Sequence, residues 1–452
     1  MSEQIDKQSK RSHLQNLTEA LQSGTLLKVR LMLNTLHPAE IAHLLESMPP
    51  EQREVVWELV DRENDGEVLL HVNDEVRAGL IRDMETDELV AATEGLDTDD
   101  LADIIQDLPG VVSSEVVQSM DKQHRLRLEA VLSYPEDSAG GLMNLDTVTV
   151  RADVTLDVVL RYMRLRGEIP ELTDSLIVVD RFDTYLGLLP LSSLLTQDAT
   201  ATVAEVMESD IEAIWANMPA TGVASLFEHR DLISAPVVDE TGKLLGRITV
   251  DDVVDVIRDE ADHTVMSRAG LSGEEDMFAP VIASSRRRAV WLGVNLLTAF
   301  LASWVIGLFE ATLERVVTLA VLMPIVASMG GIAGSQTLTL IIRGIALEQI
   351  GESNARWIML RELAVAALNG LLWSLVVAGV VVLWFQDVVI GFIIAAALII
   401  NLLSGAFAGF AIPLLLRRVG IDPALAGTVM LTTITDVVGF IAFLGLGSLF
   451  LL

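Results

Sequence analysis

The chain has 452 residues and a formal net charge of −32, so it is too long for one domain and too acidic to favour nucleic acid as a partner. It has no cysteine, which excludes a disulfide framework and thiolate metal sites and fits a reducing compartment. From Val281 onward nine arginines meet eight acids, so the acidic excess lies before that point and the continuous hydrophobicity after it. Composition thus predicts an acidic soluble region, suited to cations or basic surfaces, joined to a membrane region. Met1 to Arg30 is polar and amphipathic without an apolar signal core, so the soluble region is expected to stay in the cytosol.

Residues 14 to about 133 read as short helices. Apolar residues recur at helical spacing in Leu36 to Leu45 and Leu96 to Ile105, and Thr86 and Thr98 precede acidic first turns as caps do. Polar breaks every ten to fifteen residues predict stacked helical hairpins, a small α-solenoid. Asp99 and Asp103, four apart, place like charges on one helix face. Spacing favours a solvated acidic face; half of a cation site completed by another domain is the other reading.

Residues 140 to 262 hold an internal repeat. Ile177-Val-Val-Asp180 and Gly187-Leu-Leu-Pro-Leu-Ser-Ser-Leu194 recur 59 residues later as Pro236-Val-Val-Asp239 and Gly246-Arg-Ile-Thr-Val-Asp-Asp-Val253. Each copy reads strand, turn, strand, helix, after an earlier helix (Leu156 to Arg164; Gly222 to Phe227). The arrangement resembles a pair of CBS domains, a module that forms a tandem adenosyl-ligand-binding or regulatory unit. The second copy keeps Thr249-x-x-Asp252, that module's hydroxyl and carboxylate for a ribose; the first has Pro190-x-x-Ser193. Nucleotide (ATP) binding and a purely structural pair both remain open.

Next come an acidic helix (Asp251 to Asp262), a polar glycine-containing segment (Ser267 to Glu275) and a short helical stretch (about 279–285) leading to Arg286-Arg-Arg288. Five apolar spans follow, at about 289–309, 316–342, 361–385, 388–416 and 424–450. Arg286 to Arg288, Arg343, Arg356, Arg361, Arg417 and Arg418 fall on one side of such a bundle. That predicts a cytosolic N-terminus and an outside C-terminus in the plasma membrane.

Two spans carry unusual residues. Pro324 and the glycines up to Gln336 are expected to break the second span, with Gly330, Gly331 and Gly334 offering backbone carbonyls to a water-filled path. Close glycine-mediated packing is the alternative. In the last span Asp436 lies among apolar and small residues with Thr432 and Thr433 a turn before it and Gly439 three after, and no lysine or arginine in the span. A carboxylate at that depth costs roughly 3 kcal/mol or more, so it is expected to face a partner or water and to mark a cation path; a carboxyl that stays protonated and hydrogen-bonds a neighbouring helix is the other reading.

Acidic helical domain, CBS pair, connecting helix and five spans, in that order, resemble the MgtE family of magnesium channels. The most specific motifs are Tyr134-Pro-Glu-Asp-Ser-Ala-Gly-Gly-Leu-Met143, the Pro324 to Gln336 segment, and Asp422-Pro-Ala with Thr432, Thr433 and Asp436. The resemblance implies a multidomain fold: a solenoid-like helical domain (1–133), an α/β CBS pair (134–262), a connecting plug helix (263–288) and an all-α five-helix pore domain (289–452). It implies a homodimer in which Asp436 holds hydrated Mg²⁺ in a central path lined by Gly330, Gly331, Ile332, Gly334, Thr432 and Thr433. It implies sensing acids at Glu67, Asp99, Asp103, Asp252, Asp255 and Glu260, with Asp422 at the cytosolic mouth, that close the channel when they bind Mg²⁺. Ile332 stands where the family usually has asparagine, Val429 where it usually has proline, and His263 and Thr264 where relatives have acids.

The chemistry is coherent without the family. Mg²⁺ keeps its waters reluctantly shed and suits one or two carboxylates plus water and carbonyls. In a symmetric dimer Asp436 occurs twice across the axis. Crowded acids would hold domains apart until divalent ions bridge them. Two rivals stand beside magnesium transport: transport of Mn²⁺, Co²⁺ or another divalent cation, and a non-conducting membrane-anchored nucleotide sensor. With no P-loop, no zinc signature and seven histidines in no ligand spacing, an enzyme is not expected.

Overall fold

The computed structural model describes residues 26–451 apart from 94–95, 109, 121, 268, 272, 274, 348 and 352. The helix start expected at residue 14 and most of the polar N-terminal stretch lie outside the described residues. The chain forms two compact units, one running to Asp262 and reclaiming residues 274–279, the other made of residues 263–273 and 280–452.

Among the described residues the first unit has nine α-helices ahead of its sheets: α1 (Leu26–Leu33), α2 (Pro38–Glu46), α3 (Pro50–Trp57), α4 (Asp65–His71), α5 (Asp74–Asp83), α6 (Thr86–Thr93), α7 (Thr98–Asp107), α8 (Gly110–Ser119) and α9 (Lys122–Val131). Local chemistry sets their starts. At α2 the His37 ring accepts from the Ala39 N–H while Glu40 accepts from the His37 N–H, a reciprocal cap. At α7 it is Asp97, rather than Thr98, that takes the extended N-cap conformation. Ile41, Leu44 and Leu45 then bury one stripe of α2, each worth about 1.5–3 kcal/mol. Packing pairs α2 with α4, α4 with α6, α6 with α8 and α7 with α9, so several helices meet the next but one, as in a stacked array.

Two three-stranded sheets follow, β1 (Thr149–Arg151), β2 (Ser175–Val179), β3 (Tyr185–Pro190) and β4 (Ile214–Trp215), β5 (Ser234–Val238), β6 (Leu244–Thr249). In each the first pair is parallel and the second antiparallel. Helices α10 (Leu156–Arg166) and α11 (Leu191–Thr196) belong to the first copy, α12 (Val203–Val206) packs Val203 into that copy's core, and α13 (Ala220–Arg230) precedes β5 in the second. The 59-residue offset survives in detail: the register shift at Val178/Val179 recurs at Val237/Val238, and Gly187 and Gly246 both sit opposite the shift. Both are glycine for one reason. A Cβ at Gly187 would lie 2.4 Å from the Glu208 carbonyl oxygen, and at Gly246 2.6 Å from that of Asn144. The second sheet's Ile214, Val237 and Ile248, with Val223 of α13, share one core with α1 to α9.

The long helix α14 (Val250–Ser267) runs five residues past the expected domain end at 262, because no breaker intervenes before Gly270 at φ +71°. The chain then returns to the first unit: Asp276 makes a buried ion pair with Arg53 at 2.9 Å, and its N–H donates to Glu75 at 2.8 Å. The first span corrects the expected connecting helix. The helical stretch near 279, the three arginines and the apolar run form one uninterrupted helix, α15 (Val281–Gly307).

After the short α16 (Glu310–Arg315) come α17 (Val317–Ala346), α18 (Ala355–Phe385), α19 (Val388–Val419) and α20 (Pro423–Leu451). With α15 these make, among the described residues, five helices long and apolar enough to cross a bilayer. Helix α19 is the most buried and packs on α17, α18 and α20. The expected break in the second span does not occur. Pro324 lies inside an unbroken α17, where it forfeits only its own donor.

Candidate cation sites

Helical spacing sorts α17 into two faces. Val326, Gly330, Gly334 and Leu338, four apart, are buried; Ser328, Ile332, Gln336 and Thr339 are exposed. The buried face meets α19 through two glycine pairs. A Cβ at Gly405 would lie 2.7 Å from the Gly330 oxygen, and one at Gly409 would lie 2.5 Å from the Gly334 oxygen. Gly330 and Gly334 therefore permit close helix approach and do not line a path, a correction to the expected lining. Their carbonyls stay in the helix because nothing unwinds it.

The other face lines a cavity of about 840 Å³ with Ala327, Ser328, Gly331, Ile332, Ser335, Gln336 and Thr339 from α17 and Thr432 and Asp436 from α20. Thr432 and Asp436 are one turn apart, so a hydroxyl and a carboxylate look into the same space. Thr432 Oγ1 donates to the Thr428 and Val429 carbonyls, and Thr433 donates to Val429 at 2.6 Å. Thr433 is absent from the lining, and Gly439 packs against Asn401 instead. Sequence reading missed Ser328, Ser335, Gln336 and Thr339 as lining; the steps of seven and four from Ser328 to Ser335 to Thr339, which keep one helix face, were their signal.

It also missed Glu362, the eighth residue of α18, buried with Oε2 accepting from Thr337 at 3.3 Å and Oε1 paired with Arg361 at 2.6 Å. Its place beside arginines at a span end disguised it as an ordinary flanking charge. Asp422 precedes α20 and caps it, accepting from the Ala424 N–H at 2.8 Å. Its other oxygen lies 3.8 Å from His263 Nε2.

In the first unit, oxygens of Asp97, Asp99 and Asp100 converge within 4.8 Å. Burial raises the Asp99 carboxyl well above the usual range, and the Asp252 charge raises it further. Asp252 is raised by burial and then by Asp251. Asp100 is pushed up to about 7 by burial and by Asp97 and Asp251. Asp99 Oδ1 is buried with no hydrogen-bond donor. Asp99 thus feels the charges of Asp97 and Asp100, at the N-cap and first turn of α7, together with that of Asp252 from the second copy; Asp103 lies one turn further along α7. Glu67 and Asp255 sit nearby as exposed acids acting on His71, whose pKa is lowered mainly by burial. Glu260 is exposed on α14 about 12 Å along the helix from Asp252 and outside the cluster. Thr249 Oγ1 is hydrogen-bonded to both Asp251 and Asp252, so the ribose-type pair is engaged with itself.

These features define a five-span membrane protein with a polar cavity in its bundle and an acidic helical and CBS region ahead of it. Profiles described as the MgtE intracellular N domain, the CBS domain and a divalent cation transporter match residues 36–137, 203–259 and 323–446. The magnesium transporter MgtE of Thermus thermophilus is 32% identical over 441 residues, covering 96% of this chain and 98% of that one. That of Bacillus subtilis is 26% identical, covering 95% and 96%. A solved cytosolic domain of the Mg²⁺ channel MgtE in complex with ATP is 34% identical, covers 54% of this chain and 99% of that one, and gives a TM-score of 0.49. The chain belongs to the MgtE family.

Proposed function

We propose that this protein carries Mg²⁺ into the cell across the plasma membrane, as a homodimer with its N-terminus cytosolic and its C-terminus outside. The observation that carries the reading is the open polar groove of α17 and α20. Asp436 is half-buried, and Ser328, Gln336 and Thr339 are exposed on a membrane helix. Such a stripe is costly against acyl chains. A second copy packed face to face would enclose it and bring two Asp436 carboxylates to one hydrated ion, coordination that suits Mg²⁺. Gly331, Ile332 and Thr432 would line that path, and Asp422 would stand at its cytosolic mouth.

Asp99 and Asp252, with Asp97 and Asp100, are the sensing acids; Glu67, Asp103, Asp255 and Glu260 are peripheral or bind further ions. In this reading residues 1–133 and 134–262 sense, 263–288 couple and 289–452 conduct. Mg²⁺ bridging the acids favours the closed channel by its greater affinity for that state. ATP at Thr249 and Asp252 would have to displace their mutual hydrogen bond, which makes the nucleotide a secondary ligand here.

The test is Mg²⁺ flux into liposomes holding the full chain. Asp436→Ala should reduce flux to the protein-free leak while membrane insertion persists; wild-type flux in that variant refutes the reading. Mn²⁺ and Co²⁺ should compete for entry less well than Mg²⁺ itself.

A further inference from the structure

We infer that Asn401 is a positioning residue for the membrane path, the clamp that sets how the Asp436 helix stands against the polar face of α17; the inference rests on the transport reading above. Asn401 is fully buried in α19, with no exposed surface. Its Nδ2 donates to the Val326 carbonyl of α17 at 2.8 Å. A carbonyl can only accept, so this bond fixes which way the amide points. The amide oxygen is buried without a donor. An apolar side chain of the same size would fill the site without that penalty, so packing alone does not account for an amide here.

What surrounds the amide explains it better. Gly330 of α17 and Gly439 of α20 close on it from two sides: a Cβ would lie 2.2 Å from Nδ2 at the first and 2.6 Å at the second. Both glycines adjoin the cavity. Gly331 follows Gly330 and lines it, and Asp436 lies one turn before Gly439. Successive residues of a helix are turned by about 100°, so holding Gly330 and Gly439 against one amide fixes the rotation of both helices. It thereby fixes the distance from Asp436 to Gly331, Ser335 and Thr339. A hydrated divalent ion needs its water-accepting groups placed to within a fraction of an ångström of octahedral directions. None of the sequence motifs pointed to Asn401, because a single amide in a long apolar helix carries no periodic signal.

The experiment measures initial Mg²⁺ flux against Mg²⁺ concentration in liposomes, with thermal stability of the purified full chain as the structural control. Asn401→Leu should keep or raise the melting temperature while raising the half-saturating Mg²⁺ concentration by about tenfold, equivalent to 1.4 kcal/mol. Gly330→Ala should shift it in the same direction by displacing the amide. The Asn401→Ala, Gly330→Ala double variant should be less impaired than Gly330→Ala alone, since the smaller side chain makes room for the new methyl. Half-saturation within about twofold of wild type in Asn401→Leu overturns the inference, as does simple additivity in the double variant. Should Asn401→Leu fail to assemble, the two Gly330 variants decide alone. Asp436→Ala, run alongside, separates the failures: wild-type flux there removes the transport reading itself, whereas loss of flux there with an unshifted Asn401→Leu removes only the clamp.

Discussion

Asp436 is one half-buried carboxylate among hydroxyls and small residues, in a helix that carries no other charge, whereas Asp97, Asp99, Asp100 and Asp252 crowd together at the edge of a soluble domain. At the first place isolation does the work, because a lone acid in an apolar helix must be wetted or paired. At the second, repulsion does. Two bare carboxylates about 4–5 Å apart repel by roughly 3–4 kcal/mol at an effective dielectric near 20, and a bridging divalent ion releases that strain. On the proposed function, the same residue type passes an ion in one setting and detects it in the other.

The largest expected effect is the one that splits these roles. Asp436→Asn removes the charge but keeps the shape, and should abolish Mg²⁺ flux outright. Asp99→Asn with Asp252→Asn should leave flux intact at low Mg²⁺ and remove its inhibition at high Mg²⁺. Flux traces at both concentrations check it; inhibition that survives the double substitution would move the sensor elsewhere.

A paired buried acid supplies the next contrast. Asp276 and Arg53 are both nearly inaccessible, with side-chain exposures of 4% and 7%, and Arg53 also donates to the Leu45 and Met48 carbonyls. Asp276→Ala strands that guanidinium and should cost about 3–5 kcal/mol in the first unit's stability, read by denaturant unfolding. Replacing Asp99 by Asn, which relieves repulsion, should act in the opposite sense.

The acid cluster also has a pH signature. Asp100, Asp99 and Asp252 have folded-state pKa values raised above the unfolded range. The folded protein therefore binds more protons than the unfolded one, and their contribution to stability is full at low pH and lost as pH rises through about 7 and beyond. Metal-free protein should melt at a lower temperature near pH 8.5 than near pH 6, and saturating Mg²⁺ should narrow the gap. A flat profile without metal would mean that the carboxylates do not share one site.

The sequence carried the order of domains because each has its own period: polar breaks in the helical stack, the 59-residue offset in the CBS pair, and long apolar runs in the spans. Asp436 stood out in the sequence because a carboxyl inside such a run is costly unless it is paired, protonated or wetted. The face of α17 was misread for a physical reason. Proline and several glycines lower the barrier to leaving a helix, but they also let helices approach, and only the partner decides which use prevails. Gly405 and Gly409, 75 residues further on, are that partner, and no local pattern links them to Gly330 and Gly334. The meeting of Asp99 with Asp252 is likewise a tertiary fact, since 153 residues separate them.

The smallest expected effect concerns Ile332, which is 59% exposed and forms part of the cavity wall opposite Asp436. On the proposed function, its branched side chain removes polar surface from the path of a hydrated ion that sheds water reluctantly. Ile332→Asn restores a group that can bond those waters, and it lies on the face away from the α19 glycines, so helix packing should not change. Flux should rise by about two- to fivefold, less than 1 kcal/mol, with the half-saturating Mg²⁺ concentration nearly constant, because Asp436 and not this wall holds the ion. A large shift in half-saturation would instead make residue 332 part of the binding site, and the contrast between an isolated acid and a crowded one would then have to include a second ligand from α17.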